Sequence, residues 1–264
     1  MSETYRTPET QFDAIEGFDY EPVYTEISGL RLAHIEAGSG PTVLLVHGEP
    51  TWSYLWRKVI PPLVDAGFRV VAPDLVGFGR SDKPVEFDWY TYDKHCTLFA
   101  SHMEAIGIED ATIVVHDWGG PIGLRFAVEH ANRISRLVLL DTGLFTGTQK
   151  MTDLWLAFKD FVAREPDMPI GFLVKGGCAT DPGEEVIAAY EAPFPEVQAK
   201  AGARAFPTLI PFASSASFAA ATSGTRSAIG AECGPLNSWP MALSFWRTDF
   251  LRTPWPGMMK VRPT

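Results

Sequence analysis

The sequence predicts an α/β fold, a mostly parallel sheet flanked by helices, and three observations carry that expectation. Short β-rich runs alternate with longer helical ones from residue 21 to residue 140. Two of the short runs, 42–46 and 111–115, are apolar nearly throughout, as strands buried on both faces are. The 264 residues are 46% hydrophobic, enough apolar material for one or two packed domains.

Taken in order, 23–27 and 30–36 read as strands joined by a turn at Ser28-Gly29, and 42–46 as a buried strand. A helix is expected over 53–66, ending near Gly67, followed by a strand over 69–72 that Pro73-Asp74 terminates. After a loop rich in glycine and charge come a helix over 91–106 and the buried strand 111–115. A helix over 119–130 and a strand over 137–140 complete a core placed at 1–141. From 142 to 212 the alternation stops, and amphipathic pieces separated by Pro and Gly read as a helical cap, a second and mobile module. The composition then changes: of the 23 residues from 213 to 235, 17 are Ala, Gly, Ser or Thr. Residues 213–264 carry five basic and two acidic side chains, against 17 and 30 before them. That reversal marks 213–264 as an atypical tail, disordered or out of frame.

The formal charge of −10 argues against nucleic acid as a partner. The acidic first twenty residues contain no apolar signal core, and no run of about 18 apolar residues follows, so neither a secretion signal nor a membrane partner is expected. Cys96, Cys178 and Cys233 are odd in number and lack metal-ligand spacing, which fits a reducing cytoplasm and no metal site.

The segment 115–120, VHDWGG, lies between a buried strand and a helix. That is the setting of a nucleophile elbow, where a sharp turn holds one side chain at the sheet's C-terminal edge and small residues must follow it. Asp117 stands at the tip where esterases place serine. A carboxylate is ionised at neutral pH without help from a base, its ordinary pKa being about 3.9, and it attacks carbon directly. The alternative is that Asp117 caps the following helix.

A second motif, HGEPTWSYLWR at 47–57, follows the first buried strand. With PDLVGFGRSDKP at 73–84 and VHDWGG at 115–120, it resembles the haloalkane dehalogenases, which are α/β-hydrolases. The resemblance runs from near residue 5 to about 212 and includes YEAPFP at 190–195 and AGARAFP at 201–207 in the cap. It implies that Asp117 displaces halide from a small halogenated aliphatic substrate to give an alkyl-enzyme ester, which water hydrolyses. It also implies an oxyanion hole made by the backbone N–H groups of Glu49 and Trp118. The Trp118 indole, a donor that cannot accept, would hold the departing halide; the alternative is a packing role. His47 is expected to tie down its loop. No cofactor is implied.

The sequence departs from the family pattern at several points. A second halide-binding indole is expected from the cap, but Phe158 stands at its position. Trp155, three residues earlier on the same helical face, either substitutes for it or packs in the stripe Leu154, Trp155, Phe158, Phe161 and Val162. Glu49 stands where other branches place a halide-binding asparagine, so that route is closed unless Glu49 is protonated. Asp141 stands where one branch carries the acid that orients the catalytic histidine; otherwise it is a turn residue. All six histidines precede residue 131, so none inherits the family's C-terminal histidine. The last strands and helix of the family are expected to be missing, the ending truncated or out of frame, and ester turnover impaired. An epoxide hydrolase, for which 142–212 offers only Tyr190, and a non-catalytic remnant of the fold are the alternatives.

Overall fold

Ser28 and Gly29 take φ of 55° and 79°, the left-handed pair that closes a two-residue hairpin with the twist its strands need. The structure, a computed structural model, describes residues 3–145, 147 and 151–211. In chain order its elements are β1 (Thr4–Tyr5), β2 (Pro22–Ile27), β3 (Leu30–Ala37), β4 (Thr42–Val46), α1 (Ile60–Asp65), β5 (Arg69–Pro73), β6 (Lys83–Pro84), α2 (Tyr92–Ala105), β7 (Ala111–His116), α3 (Gly119–Glu129) and β8 (Ile134–Leu140). Four further helices follow: α4 (Asp153–Arg164), α5 (Ile170–Gly177), α6 (Glu184–Glu191) and α7 (Ala201–Leu209).

The main sheet among the described residues has the order β2-β3-β5-β4-β7-β8. Its first two pairings, β2 with β3 and β3 with β5, are antiparallel. The pairings of β4 with β5, β4 with β7 and β7 with β8 are parallel. The expected α/β architecture is present, with an antiparallel flank that the hairpin turn requires. β4 and β7 lie centrally, and the five residues of β4 are all buried, as an apolar run flanked by helices on both faces should be. Both central strands end at the same sheet edge, which brings the turns after Val46 and His116 together.

Two expectations are corrected. The run 53–66 is not one helix: a 3₁₀ turn at Ser53–Trp56 is followed by the separate α1. Pro61 and Pro62 lack the N–H groups that would continue the earlier turn, and they fit the first turn of a new helix instead. β8 begins at Ile134 rather than 137, because Ser135 and Arg136 extend its pairing with β7 across a register irregularity at Ala111/Thr112. A short ladder was also not foreseen: β1 pairs with β6, beside the Arg6–Asp82 ion pair at 2.7 Å.

In the second half, α4 packs on α7 and α5 on α6. Among the described residues no helix is long and apolar enough to cross a membrane. The expectations for 213–264, including Cys233, lie outside the described residues.

Candidate active site

β7 ends at His116, and the chain turns into α3 through Asp117, whose φ of 50° is the left-handed conformation that a sharp strand-to-helix elbow imposes. Backbone contacts on both sides hold that turn. The Asp117 N–H donates to the Asp141 carbonyl at 3.2 Å, and the Asp117 carbonyl accepts from Gly120 N–H at 2.9 Å and from the Thr142 hydroxyl at 2.6 Å. A Cβ on Gly119 would meet the Val46 and His47 carbonyls, so only glycine lets α3 start this close to β4.

The loop after β4 approaches the elbow from the other side. Glu49 N–H donates to Asp117 Oδ1 at 2.8 Å, and the Trp118 backbone N–H hydrogen-bonds the same carboxylate. A side chain on Gly48 would strike that carboxylate, so its absence lets the loop reach it. The structure therefore brings Asp117, Glu49 and Trp118 together. It does not make Asp117 a helix cap: the N-cap of α3 is Trp118, with no side-chain capping bond, and the carboxylate reaches across to the neighbouring loop.

The environment of Asp117 differs from the ordinary carboxylate assumed from sequence. Burial, with a smaller push from the Asp141 charge, moves its pKa up to about 6, against the pull of the two backbone donors. The Glu49 carboxyl is buried, its Oε1 has no hydrogen-bond partner, and burial followed by the Asp117 charge holds its pKa well above the usual carboxylate range. Two acids this close, neither facing a cation, do not both ionise readily. Asp141 is exposed, at φ 38° in the turn after β8, beside the elbow.

The Trp118 indole is 5% exposed and stacks on Phe206 of α7, with centroids 4.8 Å apart and planes 20° apart. Phe206 also stacks on Phe78 at 5.0 Å and on His95 at 4.4 Å. Trp155 is buried on α4 and Phe158 packs partly buried against the same apolar cluster, which includes Trp118. That is a shared apolar core.

Each histidine has another engagement. His47 Nε2 accepts from Leu75 N–H at 2.9 Å and Nδ1 lies 2.8 Å from the Gly48 carbonyl, so the ring ties its loop to β5's end. His34 and His102 meet at 3.3 Å, His95 stacks with Tyr90 and Phe206, and His130 stacks on Phe126. His116 is buried edge-on to Trp56 at 6.5 Å.

Thr142 and Phe206 were missed by sequence reasoning as site residues. The only signal for Thr142 was a small hydroxyl directly after Asp141. Phe206 lay within a cap motif already noted, but nothing in a helical pattern says which apolar residue meets an indole more than eighty positions earlier.

A family model described as the alpha/beta hydrolase fold matches residues 41–167. A haloalkane dehalogenase of Mycolicibacterium paratuberculosis is 41% identical over 213 residues, covering 78% of this chain and 71% of that protein. Haloalkane dehalogenase 1 of Mycobacterium bovis is 43% identical over 214 residues, covering 78% and 71%. Among solved structures, the tetrameric haloalkane dehalogenase DpaA from Paraglaciecola agarilytica NO2 matches with a TM-score of 0.81 and 34% identity, over 85% of this chain and 77% of that one.

Proposed function

The chain belongs to the haloalkane dehalogenase family, hydrolases acting on carbon–halide bonds, and from that premise we propose that Asp117 is the nucleophile for small halogenated aliphatic substrates. The observation that carries this reading is the Asp117 carboxylate, held at the tip of the elbow by the Glu49 N–H at 2.8 Å and the Trp118 N–H.

An ionised Asp117 oxygen attacks the halogen-bearing carbon, and the carbon–halogen electron pair leaves as halide while an alkyl ester forms. The Trp118 indole, fixed against Phe206, donates its N–H to the departing anion. Trp155 and Phe158, in the segment read as the cap, share the apolar cluster that holds Trp118. Water then attacks the ester carbonyl, and the two backbone N–H groups that hold the carboxylate stabilise the oxyanion. Asp141 adjusts the charge felt by Asp117, and all six histidines precede residue 131, away from the place of the family's C-terminal histidine. Loss of imidazole assistance slows ester hydrolysis by roughly 10²- to 10⁴-fold. Turnover in this chain is therefore impaired at the second half-reaction, and the first is kept.

Mass spectrometry of the 264-residue chain after exposure to 1-bromobutane tests this. The expected result is a butyl adduct on the peptide containing Asp117, a burst of about one equivalent of bromide, and no adduct in Asp117→Asn. Unmodified Asp117, or bromide released steadily at the burst rate, overturns the reading.

A further inference from the structure

We propose that Glu49 is the general base of the second half-reaction, its carboxylate taking the proton from the water that attacks the Asp117 ester. The proposal deepens the reading of Asp117 as nucleophile and rests on it. Glu49 is the residue whose backbone N–H holds Asp117 Oδ1, and its own carboxyl lies near enough to feel the Asp117 charge. The residue is 6% exposed, and Oε1 is buried with no hydrogen-bond partner. A buried carboxyl oxygen left without a donor costs about 1–3 kcal/mol, and such a cost is retained where the group acts.

The electrostatics supply the timing. With Asp117 ionised, its charge adds to burial in keeping the Glu49 proton on, so Glu49 is neutral while halide is displaced. Esterification removes the Asp117 charge, and departure of the halide removes the second one. With the Asp117 charge gone, burial alone still raises the Glu49 pKa, and the fraction of Glu49 that has given its proton to solvent serves as the base. It accepts a proton from water as the water oxygen bonds to the ester carbonyl carbon. It returns that proton to the alkoxide as the bond between the carbonyl carbon and the alkoxy oxygen breaks. Asp117 is released as the carboxylic acid and passes its proton to Glu49, so the products are alcohol, halide and the one proton lost earlier to solvent, with Asp117 ionised and Glu49 protonated again. Of the charged and titratable groups around it, Asp117 acts on Glu49 directly and Asp141 acts on Asp117. Burial lowers the pKa of His47, on the same loop, and of His116, beside the elbow, to about 4 each, so both stay uncharged.

The experiment forms the butyl ester on the full chain, removes excess bromobutane by gel filtration, and follows ester decay by mass spectrometry between pH 5 and pH 9. In the original chain the decay rate is expected to rise with pH to a plateau. In Glu49→Gln it is expected to be slower by about tenfold or more and to lose that sigmoid, leaving only the hydroxide-dependent rise. Glu49→Ala, with circular dichroism confirming its fold, should regain decay on addition of formate, which leaves the original chain unaffected. Equal decay rates and pH profiles in the original chain and Glu49→Gln, or an ester that never decays, overturn the proposal while leaving Asp117 as nucleophile. Failure to form any ester overturns both.

Discussion

At the scale of single residues, the elbow concentrates two costs at Asp117: a positive φ and a part-buried negative charge. Because its pKa in the folded protein is raised to about 6, ionisation is disfavoured by folding. The destabilisation is absent below the unfolded value near pH 4, grows as pH rises and is complete above pH 6. Asn tolerates the left-handed backbone, and its side-chain carbonyl still accepts the two N–H bonds. Asp117→Asn is therefore expected to raise Tm at pH 8 by a few degrees, reflecting about 1–3 kcal/mol, and to change it little at pH 4. Differential scanning calorimetry at the two pH values checks this; a lower Tm at pH 8 would mean that the carboxylate stabilises the fold. The same shift makes the alkylation burst fall as pH drops through about 6, which stopped-flow bromide detection reads.

The elements translate that local geometry into a site. β4 and β7 were legible from their unbroken apolar runs, and the Gly pair after Asp117 announced the start of α3, because strand burial and helix close approach are local demands. The helix expected over 53–66 was misread because the apolar pattern alone does not weigh the missing N–H groups of Pro61 and Pro62. The contact between α7 and the elbow was not legible, since it joins residues far apart in the chain. Phe206 is fully buried among Trp118, Phe78 and His95. Phe206→Ala is expected to cost about 3–5 kcal/mol and to slow the alkylation burst, because the indole loses the ring that fixes it. Urea unfolding and burst kinetics measure the two effects; an unchanged burst would separate α7 from the chemistry.

Across the whole molecule, acid tolerance is set by histidines folded away uncharged. Burial lowers His47 and His116 to about 4 and His95 and His102 to about 3. Each contributes stability that is present above the unfolded value near 6.5 and is lost as pH falls toward the folded one. Lys83, buried and donating to the Gly79 and Ser81 carbonyls, is lowered to about 7, so its stabilising effect grows between pH 7 and pH 10. Asp117, Glu49 and Asp74 oppose this at low pH, since burial raises all three. The histidines outnumber them, and Tm is expected to be higher at pH 8 than at pH 5 by several degrees. A thermal midpoint that peaks near pH 5 would show that the carboxylates dominate instead.

By itself the sequence determined the alternation of strands and helices, the acid at the strand-to-helix turn and the family those motifs resemble, because each is written in contiguous residues. Only the tertiary structure decided that Glu49 and Trp118 turn their N–H groups onto one carboxylate and that Phe206 backs the indole. Only it set Glu49 close enough to Asp117 for the Asp117 charge to help hold the Glu49 proton. Parallel strand pairing brings distant loops to one edge, and desolvation depends on everything packed around a charge; neither is encoded in any short stretch of chain.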